Sequence, residues 1–213
     1  MLTVTEIFRS IQGESAWAGW PCVFVRLAGC NLRCRYCDTA YAYAGGTPRS
    51  VSGILADVAA FGPGLVEVTG GEPLLQPETP QLLEQLCNSR PVVLLETNGS
   101  LALPAGPRPY HTIMDLKCPS SGESARMEFA NLRRLRPGDN LKFVVADRTD
   151  FDWACARFRE AEFDPCAVTP LVSPVAGAAD PAELAEWILE SGLPLRLQLQ
   201  LHRVLWPDTD RGV

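Results

Sequence analysis

Apolar residues in this chain fall into short continuous runs more often than they alternate with polar ones. Such runs are typical of strands in a parallel sheet that is covered by helices. They predict seven strands, at Cys22–Leu27, Val66–Thr69, Val92–Glu96, Thr112–Leu116, Leu141–Ala146, Ala167–Val172 and Leu195–Leu201.

Segments with helical periodicity lie between these runs. Apolar residues recur at helical spacing in Val51–Phe61 and Pro80–Asn88, and more weakly in Met127–Leu135 and Thr149–Glu160. The clearest helix start is Asp180-Pro181-Ala182-Glu183. It offers an N-cap carboxylate, a proline at the first helical position and a glutamate at the third.

The alternation of strands and helices predicts right-handed βαβ units and therefore an α/β fold. Because a closed barrel of this type needs eight strands, we expect a partial open (β/α) barrel with about six parallel strands. A flat doubly wound sheet is the alternative. Residues 1–213 are expected to form one domain, in which residues 1–20 make an N-terminal strand and loop.

Composition and charge narrow the classes of function. Apolar residues make up 46% of the chain, which is enough for a packed core. The formal net charge of -6 disfavours a binder of duplex nucleic acid. A basic segment at Arg133, Arg134 and Arg136 is interpreted as a solvated helix end.

The N-terminus does not resemble a signal peptide, and no apolar run reaches the roughly 20 residues that span a bilayer. We therefore expect a cytoplasmic protein without nucleic-acid or membrane partners.

Three cysteines, Cys30, Cys34 and Cys37, lie within eight residues on the loop after the first predicted strand. Thiolates this close can reach one metal centre. A structural zinc ion normally takes four protein ligands, so zinc would need Cys118 or His202 as well. A 4Fe-4S cluster held by three cysteines would keep one iron open to an exogenous ligand.

Polar and glycine-rich segments follow several of the predicted strands. They are Thr69–Pro73, Glu96–Gly99, Asp115–Lys117 and Ser173–Pro174. Parallel α/β proteins build their active sites at the carboxyl ends of strands. The pattern therefore predicts an enzyme with its site at this edge of the sheet.

The C-x3-C-x2-C loop together with Thr69-Gly70-Gly71-Glu72-Pro73 resembles the radical S-adenosylmethionine (SAM) superfamily. The resemblance implies that Cys30, Cys34 and Cys37 bind a 4Fe-4S cluster whose open iron chelates SAM. It also implies that SAM is cleaved to a 5′-deoxyadenosyl radical, which abstracts a hydrogen atom from the substrate.

Longer matches along nearly the whole chain resemble one family of that superfamily, the 7-carboxy-7-deazaguanine synthases. The matching segments are Ser10–Glu14, Val23–Leu27, Cys37–Thr39, Thr69–Gln76, Asp115–Glu123, Lys142–Val144 and Leu199–His202. The resemblance implies conversion of 6-carboxy-5,6,7,8-tetrahydropterin to 7-carboxy-7-deazaguanine with loss of ammonia, in queuosine and 7-deazapurine biosynthesis. It further implies regenerated SAM, Mg2+, a homodimer and a flavodoxin- or ferredoxin-type reductant.

The resemblance also implies site residues. Substrate contacts would come from residues 1–20 and the later chain, at Ile11, Gln12, Gly13, Arg26, Thr69 and Pro207. The SAM contacts would be Tyr36, Cys37, Asp38, Gly71, Asp115, Lys117 and Ser173, and Thr39 would bind Mg2+. The fork of a guanidinium suits Arg26 to a carboxylate. No role is assigned to Glu96, Asn98 or His202, and His202 is expected to be a buried structural residue. Ser15 departs from the family, which usually has glycine there.

Two other functions stay open at this point. Another small radical SAM enzyme, such as a glycyl-radical activase, would share the cysteine loop and the Gly-Gly-Glu-Pro segment. It would not be expected to share Ser10–Glu14 or Asp115–Glu123. A non-enzymatic zinc or iron-sulfur module would need a fourth protein ligand.

Overall fold

The computed structural model describes residues 1–161, 164 and 166–213. Its strands are β1 (Leu2–Ile11), β2 (Pro21–Leu27), β3 (Thr47–Arg49), β4 (Leu65–Gly70), β5 (Val93–Thr97), β6 (His111–Asp115), β7 (Asn140–Val145), β8 (Thr169–Pro174) and β9 (Arg196–Leu197). Its α-helices are α1 (Val51–Ala60), α2 (Thr79–Cys87), α3 (Arg148–Glu160), α4 (Pro181–Ser191) and α5 (Leu201–Leu205).

These strands form one sheet in the order β3-β1-β2-β4-β5-β6-β7-β8-β9. Strands β2 and β4 to β9 run parallel, whereas β1 is antiparallel to both β2 and β3. The end strands β3 and β9 are not paired with each other, so the sheet is open. The α/β fold with a partial open barrel is confirmed, with seven parallel strands in the described chain.

The helices cover one face of this sheet with two apolar clusters. In the first, Ile54 of α1 and Leu82 of α2 pack with Val25 and Val68. In the second, Phe151 of α3 packs with strand residues such as Phe143. Because side chains alternate along a strand, the neighbours of these residues point to the opposite face, which carries the polar groups described below.

The clearest predicted helix begins where its capping sequence indicates. The Asp180 carboxylate accepts hydrogen bonds from the N–H groups of Ala182 at 2.7 Å and Glu183 at 3.4 Å. Gly192, in the left-handed conformation, follows the last residue of α4. Helices α1, α2 and α3 also lie within a residue or two of their predicted bounds.

Two predicted elements differ from the structure in type or length. The segment Met127–Leu135 contains a 3-10 helix at Phe129–Arg134. The predicted strand Leu195–Leu201 ends at Leu197, because Gln198 turns toward the N-terminal loop. Its side chain accepts from the Ser15 N–H at 2.8 Å and donates to the Ser15 carbonyl at 2.7 Å. These bonds join segments far apart in the sequence, so local periodicity does not report them.

The N-terminal segment contains the predicted strand and loop. Strand β1 pairs with β2 over most of its length and carries an irregularity between Val4 and Glu6. Ser15 has a φ of 67°, in the left-handed region that favours glycine. The two hydrogen bonds with Gln198 therefore hold a serine in a backbone conformation that favours glycine.

In the described part of the chain, every helix is too short or too polar to span a bilayer.

Replacing Asp180 with alanine should destabilise the protein by about 1 kcal/mol, because two N–H groups at the start of α4 lose their acceptor. Urea unfolding would measure the change. Glu186→Ala, at an exposed position of the same helix, is the control and should change stability by less than about 0.5 kcal/mol. Equal effects from the two variants would contradict the capping role.

Candidate active site

A cavity of about 440 Å3 lies at the carboxyl ends of the parallel strands. This volume is within the usual range for sites that bind small molecules. Its lining includes parts of the cysteine loop, the ends of β4, β5 and β6, and residues near the C-terminus. The predicted position of the site is therefore the position of this cavity.

All three cysteines of the loop line this cavity. The Leu32 N–H donates to the Cys30 sulfur at 3.4 Å, and the Cys37 N–H donates to the Cys34 carbonyl at 3.2 Å. Burial raises the pKa of the Cys34 thiol to about 11, and the thiols of Cys37 and Cys30 add to this rise. Each thiol thus lies within electrostatic reach of its neighbours.

No group of three or more His, Cys, Asp or Glu side chains in the described residues is already arranged to hold a metal ion. The three-cysteine ligand set therefore stays a prediction. Cys118 is fully buried and does not line the cavity. His202 does line it, but its closest charged partner is Asp38, at 3.8 Å. These positions do not favour a zinc site completed by Cys118.

The Gly-Gly-Glu-Pro segment packs directly against the cysteine loop. A side chain at Gly71 would bring a Cβ within 2.6 Å of the Cys30 Cβ and would also overlap the Gly29 carbonyl. The Glu72 N–H donates to that same carbonyl at 2.8 Å. Gly71 is therefore required for close approach of two loops, and it also lines the cavity at the predicted SAM position.

Glu72 has a structural role in this segment. Its carboxylate accepts from the Thr97 hydroxyl at 2.9 Å, the Asn98 N–H at 2.7 Å and the Leu74 N–H at 2.9 Å. These bonds tie the end of β4 to the end of β5. The Asn98 side chain in turn lies 3.8 Å from the Cys30 sulfur.

A buried network of charges lies on the inner face of the sheet. The Lys142 ammonium pairs with Glu14, with Glu96 at 2.9 Å and with Asp115 at 3.1 Å. Asp115 also pairs with Lys117 at 2.9 Å. Burial disfavours ionisation of Asp115, but Lys117 and Lys142 outweigh it and hold the pKa below its usual value. The strand ends thus present fixed charges of both signs.

Glu67 differs from these carboxylates because no cation pairs with it in the described chain. Burial raises its pKa well above the ordinary value, and the charges of Glu96 and Glu14 raise it further. Lys142 instead lowers the pKa of Glu96 in spite of burial. Burial and the neighbouring acids therefore favour the neutral form of Glu67, whereas Lys142 favours the charged form of Glu96.

The Gln12 carboxamide is fixed at both ends by this network. Its nitrogen donates to the Glu67 carboxyl, and its oxygen accepts from the Glu14 N–H at 3.0 Å. The predicted substrate residue Gln12 is thus oriented before any ligand binds.

Arg26 also lines the cavity. Its guanidinium donates to Glu6 at 2.7 Å, and the Tyr41 hydroxyl donates to the same carboxylate oxygen at 2.7 Å. The rings of Phe8 and Tyr41 lie 5.7 Å and 5.9 Å from the guanidinium carbon. Arg26 is therefore held on one side and faces the cavity.

Asp38 and Thr39 meet the C-terminal part of the chain. The Thr39 hydroxyl donates to Asp38 at 2.9 Å, and Arg203 lies 3.5 Å from the Asp38 carboxylate. Burial opposes ionisation of Asp38, but contacts with His202, Thr39 and Arg203 outweigh it and lower the pKa. The expectation of a buried structural His202 is wrong, because its ring lines the cavity beside Gly13.

Most of the predicted site residues share this one cavity. They are Ile11, Gln12, Gly13, Arg26, Cys30, Cys34, Tyr36, Cys37, Asp38, Thr39, Thr69, Gly71, Asp115 and Lys117. Ser173 is fully buried and does not line the cavity, although Val175 and Ala176 do. Pro207 is exposed and does not line it either, whereas Thr209 and Asp210 do. The roles of Ser173 and Pro207 stay predictions.

The sequence interpretation missed the roles of Glu14, Glu67 and Lys142 in this cavity. Glu67 and Lys142 are each the single charged residue in a largely apolar core strand. A lone charge in such a strand indicates a buried polar site, because an unpaired charge in a core is strongly unfavourable. That signal was present in the sequence.

Comparisons with known proteins agree with this geometry. Residues 25–116 match the Radical SAM superfamily. The chain is 47% identical to the 7-carboxy-7-deazaguanine synthase of Chlorobaculum tepidum, over 100% of this chain and 97% of that protein. It is 41% identical to the 7-carboxy-7-deazaguanine synthase of Koribacter versatilis, over 100% of both.

Two solved structures share its fold. The crystal structure of QueE from Escherichia coli has a TM-score of 0.74 and 21% identity, and the match covers 92% of this chain and 93% of that one. Streptococcus suis SuiB bound to S-adenosylmethionine has a TM-score of 0.56 and 14% identity, and the match covers 80% of this chain and 48% of that one.

Glu67→Gln should make stability less dependent on pH than it is in the wild type. The unfolded chain releases the Glu67 proton near pH 4.3, roughly the ordinary value, whereas the folded chain keeps it to higher pH. The contribution of Glu67 to stability therefore falls as pH rises through this window, because at this group the folded state binds more protons than the unfolded state. Urea unfolding from pH 4.5 to 8 should show Glu67→Gln gaining stability relative to the wild type as pH rises.

Glu186→Gln, which changes an exposed glutamate of α4, is the matched control. Its curve of stability against pH should be parallel to that of the wild type. If the Glu67→Gln and wild-type curves also stay parallel, Glu67 is ionised in the folded protein.

Proposed function

The chain belongs to the 7-carboxy-7-deazaguanine synthase family of radical SAM enzymes, and from this premise we propose that its cavity converts 6-carboxy-5,6,7,8-tetrahydropterin to 7-carboxy-7-deazaguanine with loss of ammonia. One observation carries the proposal. A single cavity joins the three cysteines of the loop to Arg26 and to the Gln12–Glu67–Glu96 group. Thiols for a cluster and polar groups for a carboxypterin thus face one space.

Radical SAM enzymes use a 4Fe-4S cluster and SAM, and the chemistry of the donors fits such a cluster. Cys30, Cys34 and Cys37 would hold it, since thiolates are the usual ligands of iron-sulfur clusters. When bound, the cluster supplies the electron that cleaves SAM to the radical that attacks the substrate. We assign the SAM side of the cavity to Tyr36, Gly71, Asp115 and Lys117, with Asp38 beside the loop. Their mixed charges match the amino and carboxylate groups of SAM.

On the substrate side, Arg26 would grip the carboxylate of the pterin. The Arg26 guanidinium has further N–H donors besides the one that pairs with Glu6, and Glu6 balances its charge. The aminopyrimidinone edge of the pterin offers both donors and acceptors. Gln12 and Glu96 offer donors and acceptors to this edge, and Glu67 adds a donor when its carboxyl is protonated.

We assign Mg2+ to Thr39, whose hydroxyl lies on the cavity wall beside Asp38. Mg2+ usually retains waters and takes few protein ligands, so one hydroxyl with a substrate carboxylate is sufficient. When bound, the ion would screen the charge of that carboxylate. Residues 1–20 belong to the substrate side through Ile11, Gln12 and Gly13.

The proposal includes a homodimer and a flavodoxin- or ferredoxin-type reductant. Support comes from the family relationship, in which the chain matches its relatives over their whole length.

The test is an anaerobic reconstitution followed by turnover. The protein should take up about four irons per chain. With SAM, a reductant and the carboxypterin it should form 7-carboxy-7-deazaguanine, identified by chromatography and mass spectrometry. A colourless protein that holds zinc would support a binding module. Formation of deoxyadenosine alone would favour another radical SAM activity.

Arg26→Ala should raise the KM for the carboxypterin by at least about tenfold, since a charge-assisted hydrogen bond contributes about 1.5–3 kcal/mol. Iron content should stay at the wild-type level, because Arg26 does not touch the cysteine loop in the contacts described above. Arg26→Lys keeps the positive charge but loses the forked guanidinium, so its KM should lie between those of the wild type and Arg26→Ala. An unchanged KM in Arg26→Ala would remove Arg26 from the substrate site.

A further inference from the structure

Glu67 is a buried acid in the wall of the substrate cavity. It lies on the core strand β4 and is only 2% exposed. Its partners on the neighbouring strands are Phe24 of β2 and Leu94 of β5, and both belong to one apolar cluster. Burying a carboxyl group beside apolar side chains is unfavourable, whereas a hydrophobic side chain would not carry this penalty. The use of an acid here therefore depends on the polar groups that it meets.

Gln12 is a polar group that Glu67 holds directly. The Gln12 carboxamide nitrogen donates a hydrogen bond to the Glu67 carboxyl group, and its oxygen accepts from the Glu14 N–H at 3.0 Å. A carboxyl group keeps an acceptor oxygen in either protonation state, and a backbone N–H can only donate. The two partners are thus of opposite kind, so only one of the two orientations of the carboxamide satisfies both.

The backbone of Gln12 is fixed as well. Its N–H donates to the Trp20 carbonyl at 2.8 Å, and its carbonyl accepts from the Gly19 N–H at 2.8 Å. These two bonds close the loop that follows β1. Because the backbone is held, the freedom that remains to Gln12 is rotation of its side chain, and Glu67 and Glu14 restrict that rotation.

Half of the hydrogen-bonding capacity of this carboxamide stays unused. A carboxamide has two N–H donors and an oxygen with two lone pairs. Within the described part of the chain, Gln12 uses one of the donors and one of the lone pairs. One N–H and one lone pair are left beside each other, and Gln12 lines the cavity. This pair is complementary to a lactam, a ring amide in which an N–H lies next to a carbonyl oxygen.

We propose that Glu67 is a specificity-determining residue, which fixes the Gln12 carboxamide in the orientation that pairs with the lactam edge of the pterin. The inference rests on the proposed function and deepens it, because it requires a pterin in this cavity. Glu67 acts as a positioning residue in this pairing, since the group that meets the lactam is Gln12.

A fixed carboxamide discriminates between two patterns of donors and acceptors. The lactam edge of a pterin offers a donor at N3 and an acceptor at the C4 oxygen. A 4-amino analogue offers the reverse pattern, so the carboxamide would have to turn over and lose its bonds to Glu67 and Glu14. The ligand cannot turn over instead if Arg26 grips its carboxylate. A mismatched polar group is left unpaired on burial, which weakens binding strongly.

The experiment uses the reconstituted holoenzyme with SAM and two probes, 6-carboxypterin and its 4-amino analogue. Both probes keep the carboxylate and differ at the lactam edge. Both are aromatic and have no hydrogen atom at C6, so binding is measured without turnover. Anaerobic isothermal titration calorimetry at pH 8 gives the two Kd values, whose ratio is the discrimination. The wild type should bind 6-carboxypterin at least about tenfold more tightly than the analogue.

Glu67→Leu removes the acceptor and suits the apolar neighbours of this position. Its discrimination should be at least about fivefold lower than that of the wild type, because the Gln12 carboxamide loses one of the two bonds that orient it. Glu67→Gln keeps an acceptor oxygen in a side chain of the same shape and should retain the wild-type discrimination within about twofold. Glu186→Leu, which makes the same change at an exposed position of α4, is the control and should match the wild type.

Iron content and urea unfolding verify that each variant is folded. A purely structural role for Glu67 would weaken the binding of both probes equally, and an unchanged ratio in Glu67→Leu would overturn the proposal. Equal affinity of the wild type for the two probes would also overturn it. If Glu67→Leu does not fold, Glu67→Met takes its place in the same comparison, because the flexible methionine side chain adapts to irregular space.

Failure of the proposed function is distinguishable from failure of this inference alone. In the first case the wild type would bind neither probe and would form no 7-carboxy-7-deazaguanine. In the second case the wild type would bind 6-carboxypterin and form the product, but Glu67→Leu would discriminate between the probes as well as the wild type does.

Discussion

The ammonium of Lys142 is the charge on which the inner face of the sheet depends. It lies in a core strand and pairs with carboxylates from the N-terminal loop, β5 and β6. Without it, Glu14, Glu96 and Asp115 would face one another across a buried space with only Lys117 nearby. Unpaired buried charges are strongly destabilising, so the network allows a polar cavity inside an otherwise apolar sheet. Four acids, Glu14, Glu67, Glu96 and Asp115, face two lysines here, and burial raises the pKa of Glu67, which favours its neutral form.

The cysteine loop is held by close packing on one side and by hydrogen bonds from arginines on the other. On its inner side the absence of a side chain at Gly71 lets β4 approach Cys30 closely. On its outer side Arg33 and Arg126 bind the loop carbonyls. The thiols of the loop therefore face the cavity, and carbonyls of its backbone accept hydrogen bonds from these surface arginines.

Much of the fold was predictable, because the strands are continuous apolar runs and Asp180 gives a local start signal. The cysteine loop was likewise recognisable from its spacing, and the Gly-Gly-Glu-Pro segment from its resemblance to a known superfamily when it is taken together with that loop. Contacts between distant segments could not be predicted from the sequence. Lys142 meets Glu14 across 128 residues, and Gln198 meets Ser15 across 183. Those contacts end the last strand early and complete the charge network, and no local pattern encodes them.

The protonation of the buried acids is the most direct measure of this network. Infrared spectroscopy at neutral pH should show the band of a protonated carboxyl group in the wild type. The band should disappear in Glu67→Gln and persist in Glu96→Gln, because burial favours the protonated form of Glu67 and Lys142 favours the charged form of Glu96. A wild-type spectrum without the band, or a band lost only in Glu96→Gln, would contradict the assignment of charges around Lys142.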